Sequence, residues 1–187
     1  MIKIFFFFLF QLCVIYQANA VIPDQSREMQ VISLQGYKVS LDNDPPWSWK
    51  IKYDKQVPVF VAHTPENYYP TATVNIRYHN NVVINDAPAE INAVARSAIK
   101  EALKYYEVDK TEIKKDLIKV NYNQLNGYEF NAKGIIQGEP HDIKIVITKN
   151  EHGKILSFLA YTRRNKMNHI QPAITRILNG VSFLRKF

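Results

Sequence analysis

Alternation of apolar and polar residues with a period of two predicts strands along most of the chain. In WSWKIKY, for example, Trp47, Trp49, Ile51 and Tyr53 share one face, which predicts a strand with one buried and one wet face. Turn-forming residues separate eight such segments: GYKVSL, WSWKIKY, VPVFVAH, TATVNIRYH, DLIKVNYN, GYEFNAKG, DIKIVITK and KILSFLAYT. The last of them is apolar on both faces, which predicts a central strand covered on both sides.

Two segments have the three- and four-residue spacing of amphipathic helices. The first is predicted from about Pro88 to Glu107, where Asp86 precedes the helix as a cap and proline suits the first turn. The second is predicted from roughly Pro172 to Asn179 and is followed by glycine, a common helix terminator. Each helix therefore has one apolar side that must pack against the sheet.

The order of these elements is four strands, a helix, four strands and a helix, with mostly short connections. This order predicts an α+β fold with a mostly antiparallel sheet. Because two amphipathic helices accompany a strand that is apolar on both faces, we expect an α/β/α sandwich in which the two main helices flank the sheet. Residues 31–187 are predicted to form a single domain, and residues 21–30 a flexible lead-in.

The first twenty residues, MIKIFFFFLFQLCVIYQANA, have the three regions of a secretory signal peptide in order. These are a positively charged amino terminus, a short apolar segment and small residues at the cleavage site. Ala18 and Ala20 mark the expected cleavage site, with cleavage after Ala20. An uncleaved amino-terminal anchor is the alternative, but the apolar run is shorter than the ~20 residues of a membrane span. We therefore expect an exported protein, periplasmic or associated with the outer membrane and not integral to it.

The single cysteine, Cys13, lies inside this leader. The mature chain therefore has no thiol for a disulfide, a nucleophile or a thiolate metal site. Removing 20 of the 187 residues leaves 167, enough for one domain with a hydrophobic core.

The segments described above resemble, in their order, the PsbP/DcrB superfamily. The quoted stretch GYKVSLDNDPPWSWK is similar to the family's opening strand and proline–tryptophan turn, and FVAHTPENYYPTATVNIRYH to its phenylalanine strand, variable loop and next strand. Further on, LNGYEFNAKG is similar to a glycine–aromatic strand, and HGKILSFLAYT with ILNGVSFL to the closing strand and helix. The resemblance runs from Gly36 to Phe183.

The resemblance implies a non-enzymatic protein. We also expect no cofactor, because the sequence contains no motif for one. Photosynthetic members dock on a membrane photosystem, bacterial members are envelope proteins, and a yeast member binds a GTPase. Bacterial relatives are often lipid-anchored, whereas Cys13 lacks the small residues expected before a lipid-attached cysteine.

Loss of Lys3 with the leader leaves 23 of the 24 basic residues against 17 acidic ones, a net charge of +6. The basic residues are scattered and lack the interleaved glycines and aromatics of an RNA-binding surface, so we expect no nucleic-acid partner. A solvated surface is the main interpretation of this charge. Peripheral contact with an anionic membrane surface or with an acidic partner is the alternative.

No catalytic or metal site is predicted. The five histidines do not pair at a spacing that would place two of them on one helix face or strand face with a carboxylate. The six glycines form no phosphate-binding cluster, and no serine lies in a nucleophile elbow.

The loop that follows the strand VPVFVAH is the candidate protein-contact site. It runs from His63 to Pro70, and its candidate contact residues are His63, Tyr68 and Tyr69; the two tyrosines cannot both be buried in a turn. One tyrosine packing over the sheet edge is the structural alternative. The sequence therefore predicts a non-enzymatic accessory or adaptor protein that docks on another envelope protein, for example in a secretion or receptor complex. A protein that binds a small ligand or metal ion, and an unrecognised hydrolase, are the alternatives.

Overall fold

The computed structural model describes residues 29–34, 36–54, 56–83, 88–104, 106–108, 116–123, 125–149 and 153–184. The predicted signal peptide, with Ala18 and Ala20, and nearly all of the lead-in lie outside the described residues, so both stay predictions. The elements are β1 (Gln30–Leu34), β2 (Tyr37–Leu41), β3 (Ser48–Asp54), β4 (Val57–His63), β5 (Ala72–Val83), α1 (Pro88–Leu103), β6 (Glu107–Val108), β7 (Ile118–Tyr122), β8 (Leu125–Ile136), β9 (Glu139–Lys149), β10 (Lys154–Arg163), α2 (Met167–Asn179) and β11 (Val181–Phe183).

The described strands form two sheets. The large sheet has the order β3-β4-β5-β10-β9-β8-β6, with β7 also paired to β8, and the small sheet has the order β1-β2-β11. Every pairing among the described strands is antiparallel. The predicted α+β class with a mostly antiparallel sheet is therefore confirmed.

Strand β10 occupies the central position that its two apolar faces predict. It pairs with β5 on one side and with β9 on the other. Its alternate residues enter two different apolar clusters: Leu156 and Phe158 belong to one, and Ile155 to the other. Because successive strand residues point to opposite faces, the two clusters lie on opposite sides of the large sheet.

The two helices belong to different clusters. In the α1 cluster, Ile91, Ala95 and Ile99 of the helix pack with buried residues of β8, β9 and β10. In the α2 cluster, the buried face of α2 packs with the small sheet and with β4, β5 and β10. The small sheet was not predicted as a separate unit, and it shares with α2 the covering of one face.

Helix α2 begins five residues before the predicted start at Pro172, and the reason is a contact from another strand. The carboxylate of Asp142 in β9 accepts hydrogen bonds from the backbone N–H groups of Lys166, at 3.1 Å, and Met167, at 3.4 Å. An oxygen in this place caps the exposed amides of the first turn. A cap supplied from another element leaves no signal next to the helix in the sequence.

Candidate docking surface and polar pocket

Strand β3 is the edge of the large sheet and is exposed along its whole length. Among the described strands it pairs only with β4, and all seven of its residues are exposed. Three large apolar side chains, which we call the β3 stripe, follow one face of the strand: Trp49 is 41%, Ile51 37% and Tyr53 74% exposed. A row of this kind on a free edge is a contact surface that has no partner among the described residues.

The exposure of the β3 stripe contradicts the expectation of a strand with one buried face. The small sheet reaches only the start of the stripe, where the indole N–H of Trp49 donates a 2.9 Å hydrogen bond to Gln30 of β1. The same ring stacks on Phe60, with 6.2 Å between ring centres. Only Trp47, which precedes the strand, is buried as predicted, at 7% exposure.

The predicted contact loop leaves the sheet beside the start of β3. His63, the last residue of β4, is directly opposite Ser48, the first residue of β3. Tyr68 is half-buried and packs against the α2 cluster, whereas Tyr69 is 69% exposed. The ammonium of Lys166 lies 5.2 Å from the centre of the Tyr69 ring, within the range of a cation–π contact. The structure therefore separates the two tyrosines into one packing residue and one accessible residue.

The other face of β3 is basic. Lys50 and Lys52 are exposed there, and the face continues to His63 on β4. Burial and the nearby charges of the two lysines lower the pKa of His63. The one acidic residue of β3, Asp54, is bound to Arg77 of β5. One face of the edge strand is thus apolar, and the other is positively charged.

A pocket of about 380 Å³ lies on the same side of the large sheet as α2. Its walls come from the first turns of α2 and from β8 and β9, and its polar lining includes Glu129, Asn131, Lys144, Asn168 and Gln171. The volume is at the lower end of the range of small-molecule sites, ~300–1,000 Å³.

A buried ion pair forms the inner wall of this pocket. The side chains of Glu129 and Lys144 are 10% and 6% exposed, and the ammonium is bound to the carboxylate. The hydroxyl of Tyr122 and the side-chain amide of Asn131 each donate a 2.8 Å hydrogen bond to the same carboxylate. The carboxylate of Glu129 is therefore engaged at both of its oxygens.

The environment of Glu129 determines its protonation. Burial acts to raise the pKa of this carboxyl group, but the hydrogen bonds from Lys144, Asn131 and Tyr122 and the lysine charge outweigh it and lower the pKa. Burial and the neighbouring carboxylate raise the pKa of Tyr122. The network consequently holds a charged carboxylate and a neutral phenol side by side.

Sequence reasoning missed this pair because Glu129 and Lys144 belong to segments in which polar residues alternate with apolar ones. In β9, Ile143, Ile145 and Ile147 form the predicted apolar face. The alternation therefore predicts that Lys144 is exposed to solvent. In the folded chain α2 covers that second face as well, and β9 is buried on both sides. The only sequence signal is the opposite charge of two residues on neighbouring strands.

No group of three or more His, Cys, Asp or Glu side chains in the described part of the chain lies close enough together to hold a metal ion. None of the described helices combines the length and the apolar character needed to cross a membrane.

Comparison with known proteins shows the fold. No protein-family model matches the sequence, and no curated protein matches it. The solution structure of the cyanobacterial PsbP protein (CyanoP) from Synechocystis is similar, with a TM-score of 0.51 and 12% identity over 84% of this chain and 94% of that one. LpqN of Mycobacterium tuberculosis, which is involved in cell envelope biogenesis, has a TM-score of 0.50 and 12% identity over 86% and 94% of the two chains.

A third structure, from Bacteroides thetaiotaomicron, has a TM-score of 0.49 and 10% identity over 80% of this chain, which spans only 46% of that protein. The likeness to the two full-length neighbours defines the class: the chain has a PsbP-like fold. The DcrB part of the predicted resemblance is not among these neighbours and stays a prediction.

Proposed function

We propose that this chain is an exported, non-enzymatic accessory protein that docks on another protein in a cell-envelope assembly. The PsbP-like fold supports the proposal, as does the role of LpqN in cell envelope biogenesis. The proposal includes the single domain at residues 31–187 and its arrangement as an α/β/α sandwich, with the small sheet as part of one outer layer. A secretion complex or a receptor complex is an example of the assembly that we propose.

The β3 stripe is the observation on which the proposal rests. Natural sheets protect their edges with charged residues, proline, bulges or a covering element, because a free edge pairs readily with other chains. Here the edge presents a tryptophan, an isoleucine and a tyrosine to solvent. Tryptophan and tyrosine are the residues most enriched at the energetic centre of protein interfaces.

Tyr69 is a further exposed aromatic side chain that we include in the proposed contact. The loop that contains it leaves the sheet at His63, opposite the start of β3, and the accessible ring lies beside Lys166, just before α2. Tyr68 instead packs inward. We therefore assign Tyr69 to the proposed contact and Tyr68 to the support of the loop.

A photoreactive amino acid at position 53 tests docking in living cells. We expect the exported protein that carries it to crosslink to one protein of defined mass, and Ile51→Ser to lower the yield at least about fivefold, since an anchor in an interface contributes ~2 kcal/mol. The matched control is Ile118→Ser, which removes an isoleucine that is 54% exposed on another strand, and it should leave the yield unchanged.

Thermal melting of both serine variants checks that the domain stays folded. Recovery of no crosslinked protein from position 53, or an equal loss of yield in the two variants, would contradict docking through β3.

The small-ligand alternative has the pocket beside Glu129 in its favour. Against it, the carboxylate of Glu129 is already bound to Lys144, Asn131 and Tyr122, and this engagement also disfavours a catalytic role in a hydrolase. We therefore rank both alternatives below docking. A co-purifying small molecule in native mass spectra of the exported protein would reverse this order.

A further inference from the structure

We propose that the β3 edge binds its partner by strand addition, and that the bound segment of the partner alternates apolar and acidic residues. This inference rests on the proposed docking function and names the chemistry of the partner. Three features of β3 support the inference: its free backbone edge, its apolar face and its basic face.

The backbone of β3 is suited to accept another strand. Its pairing with β4 runs without a register shift from Ser48 opposite His63 to Asp54 opposite Val57. The strand contains no proline, and no described strand pairs with its outer side. Seven extended residues present an edge of roughly 23 Å, which is long enough for a segment of six to seven residues. Main-chain hydrogen bonds along such an edge give affinity, and side chains on the two faces give specificity.

The side chains of β3 specify what the added strand must carry. Directly opposite residues in an antiparallel pair share a face, and their side chains contact each other. One face of the incoming strand therefore meets Trp49, Ile51 and Tyr53 and has to be apolar. The other face meets Lys50 and Lys52, and the one acidic residue of β3, Asp54, is already bound to Arg77. Acidic residues on that face complement the charge of the two lysines, which have no ion-pair partner in the described part of the chain.

A second copy of this chain fits the edge poorly. In an antiparallel pairing of two β3 strands centred on Ile51, Lys50 of one copy lies opposite Lys52 of the other. Like charges directly opposite each other destabilise a strand pair. The two lysines thus disfavour self-association and favour an acidic partner.

Synthetic nine-residue peptides test the inference with the folded exported protein. One peptide alternates valine and glutamate, and a second alternates valine and lysine. We expect isothermal titration to show binding of the glutamate peptide, weakened by salt, and at least about tenfold weaker binding of the lysine peptide. Lys50→Glu with Lys52→Glu should reverse this preference. The matched double reversal at two other exposed lysines, Lys100→Glu with Lys119→Glu, should leave it unchanged.

Methylation of the peptide backbone tests strand addition itself. The glutamate peptide is N-methylated either at its odd or at its even residues, so that donors are removed from one edge of the extended peptide at a time. We expect one methylated peptide to lose binding and the other to retain it, because only one edge faces β3.

Equal binding of the glutamate and lysine peptides, or no binding of either, would overturn the acidic specificity. Equal binding of both methylated peptides and the parent would overturn strand addition, as would a dimer in solution that Lys50→Glu strengthens. Crosslinking from position 53 would still report docking in each of these cases, so failure of this inference is distinct from failure of the proposed function.

Discussion

Replacing Glu129 with leucine is expected to lower the free energy of unfolding by about 3–5 kcal/mol, because it leaves the buried ammonium of Lys144 without its partner. The substitution also removes the acceptor of the hydrogen bonds from Tyr122 and Asn131. Urea denaturation followed by circular dichroism measures the loss. A change below ~1 kcal/mol would contradict a buried ion pair at this site.

The double variant Glu129→Leu with Lys144→Met is the control. It removes both charges, and buried ion pairs are often replaced by apolar residues at little cost. We expect it to recover at least about 2 kcal/mol of the loss in the single variant. If the double variant is as unstable as the sum of its two single variants, the side chains do not interact.

The pH dependence has a definite sign. Because the folded protein holds the pKa of Glu129 below that of an unfolded glutamate, ~4.3, the unfolded chain takes up the proton first as the pH falls. The contribution of Glu129 to stability is therefore present above that pH and is lost as the pH falls through the folded-state pKa. Stability measured from pH 6 downwards should decline less steeply in Glu129→Leu than in the parent protein.

Replacing Gly127 with alanine is expected to lower the free energy of unfolding by about 3 kcal/mol or more, because rigid backbone occupies the space of the new methyl group. A Cβ atom at this position would overlap the carbonyl oxygen of Ile147 and lie 2.7 Å from the Cα atom of Thr148. Neither atom can move without breaking the pairing of β8 with β9. Thermal and urea denaturation give the measurement.

Gly138→Ala is the matched control for that substitution. A Cβ atom there meets nothing within 4 Å, and the cost comes only from the positive φ of +80°. We expect about 1–2 kcal/mol from this backbone conformation. A loss at Gly127 no larger than the loss at Gly138 would show that β8 and β9 can separate locally.

Much of the antiparallel α+β fold could be predicted because its signals are local. The two apolar faces of β10 predict its central place, and the cap residue Asp86 with the proline of the first turn predicts the start of α1 at Pro88. The end of α1, in contrast, is set by a contact with a distant segment. The chain from Glu107 pairs with Ile135 of β8 instead of continuing the helix, and tertiary pairing of this kind overrides helical spacing.

The candidate site was predicted less well because alternation reports which residues share a face and not whether that face is covered. The β3 stripe has the same period as a buried row, and it is exposed because no element in the described part of the chain lies over most of it. Adjacent identical residues such as Tyr68 and Tyr69 differ only in what the folded chain places beside them.

The turn at Asn126-Gly127 shows the same limit. Asparagine followed by glycine is a strong turn signal, yet the chain reverses earlier, between Tyr122 and Leu125, and this glycine lies inside β8. It is needed there because the backbone of β9 approaches closely, a requirement set by a distant segment.

The small sheet joins the first described strand of the domain, beside the proposed contact edge, to the last one. Val181 of β11 pairs with Val39 of β2, and β2 in turn holds β1, whose Gln30 accepts the hydrogen bond from Trp49. Pairs so far apart along the chain form late, because the long intervening segment must first be ordered. The pairing of β11 with β2 is therefore expected to form after the local hairpin of β1 and β2, which supplies Gln30 to Trp49.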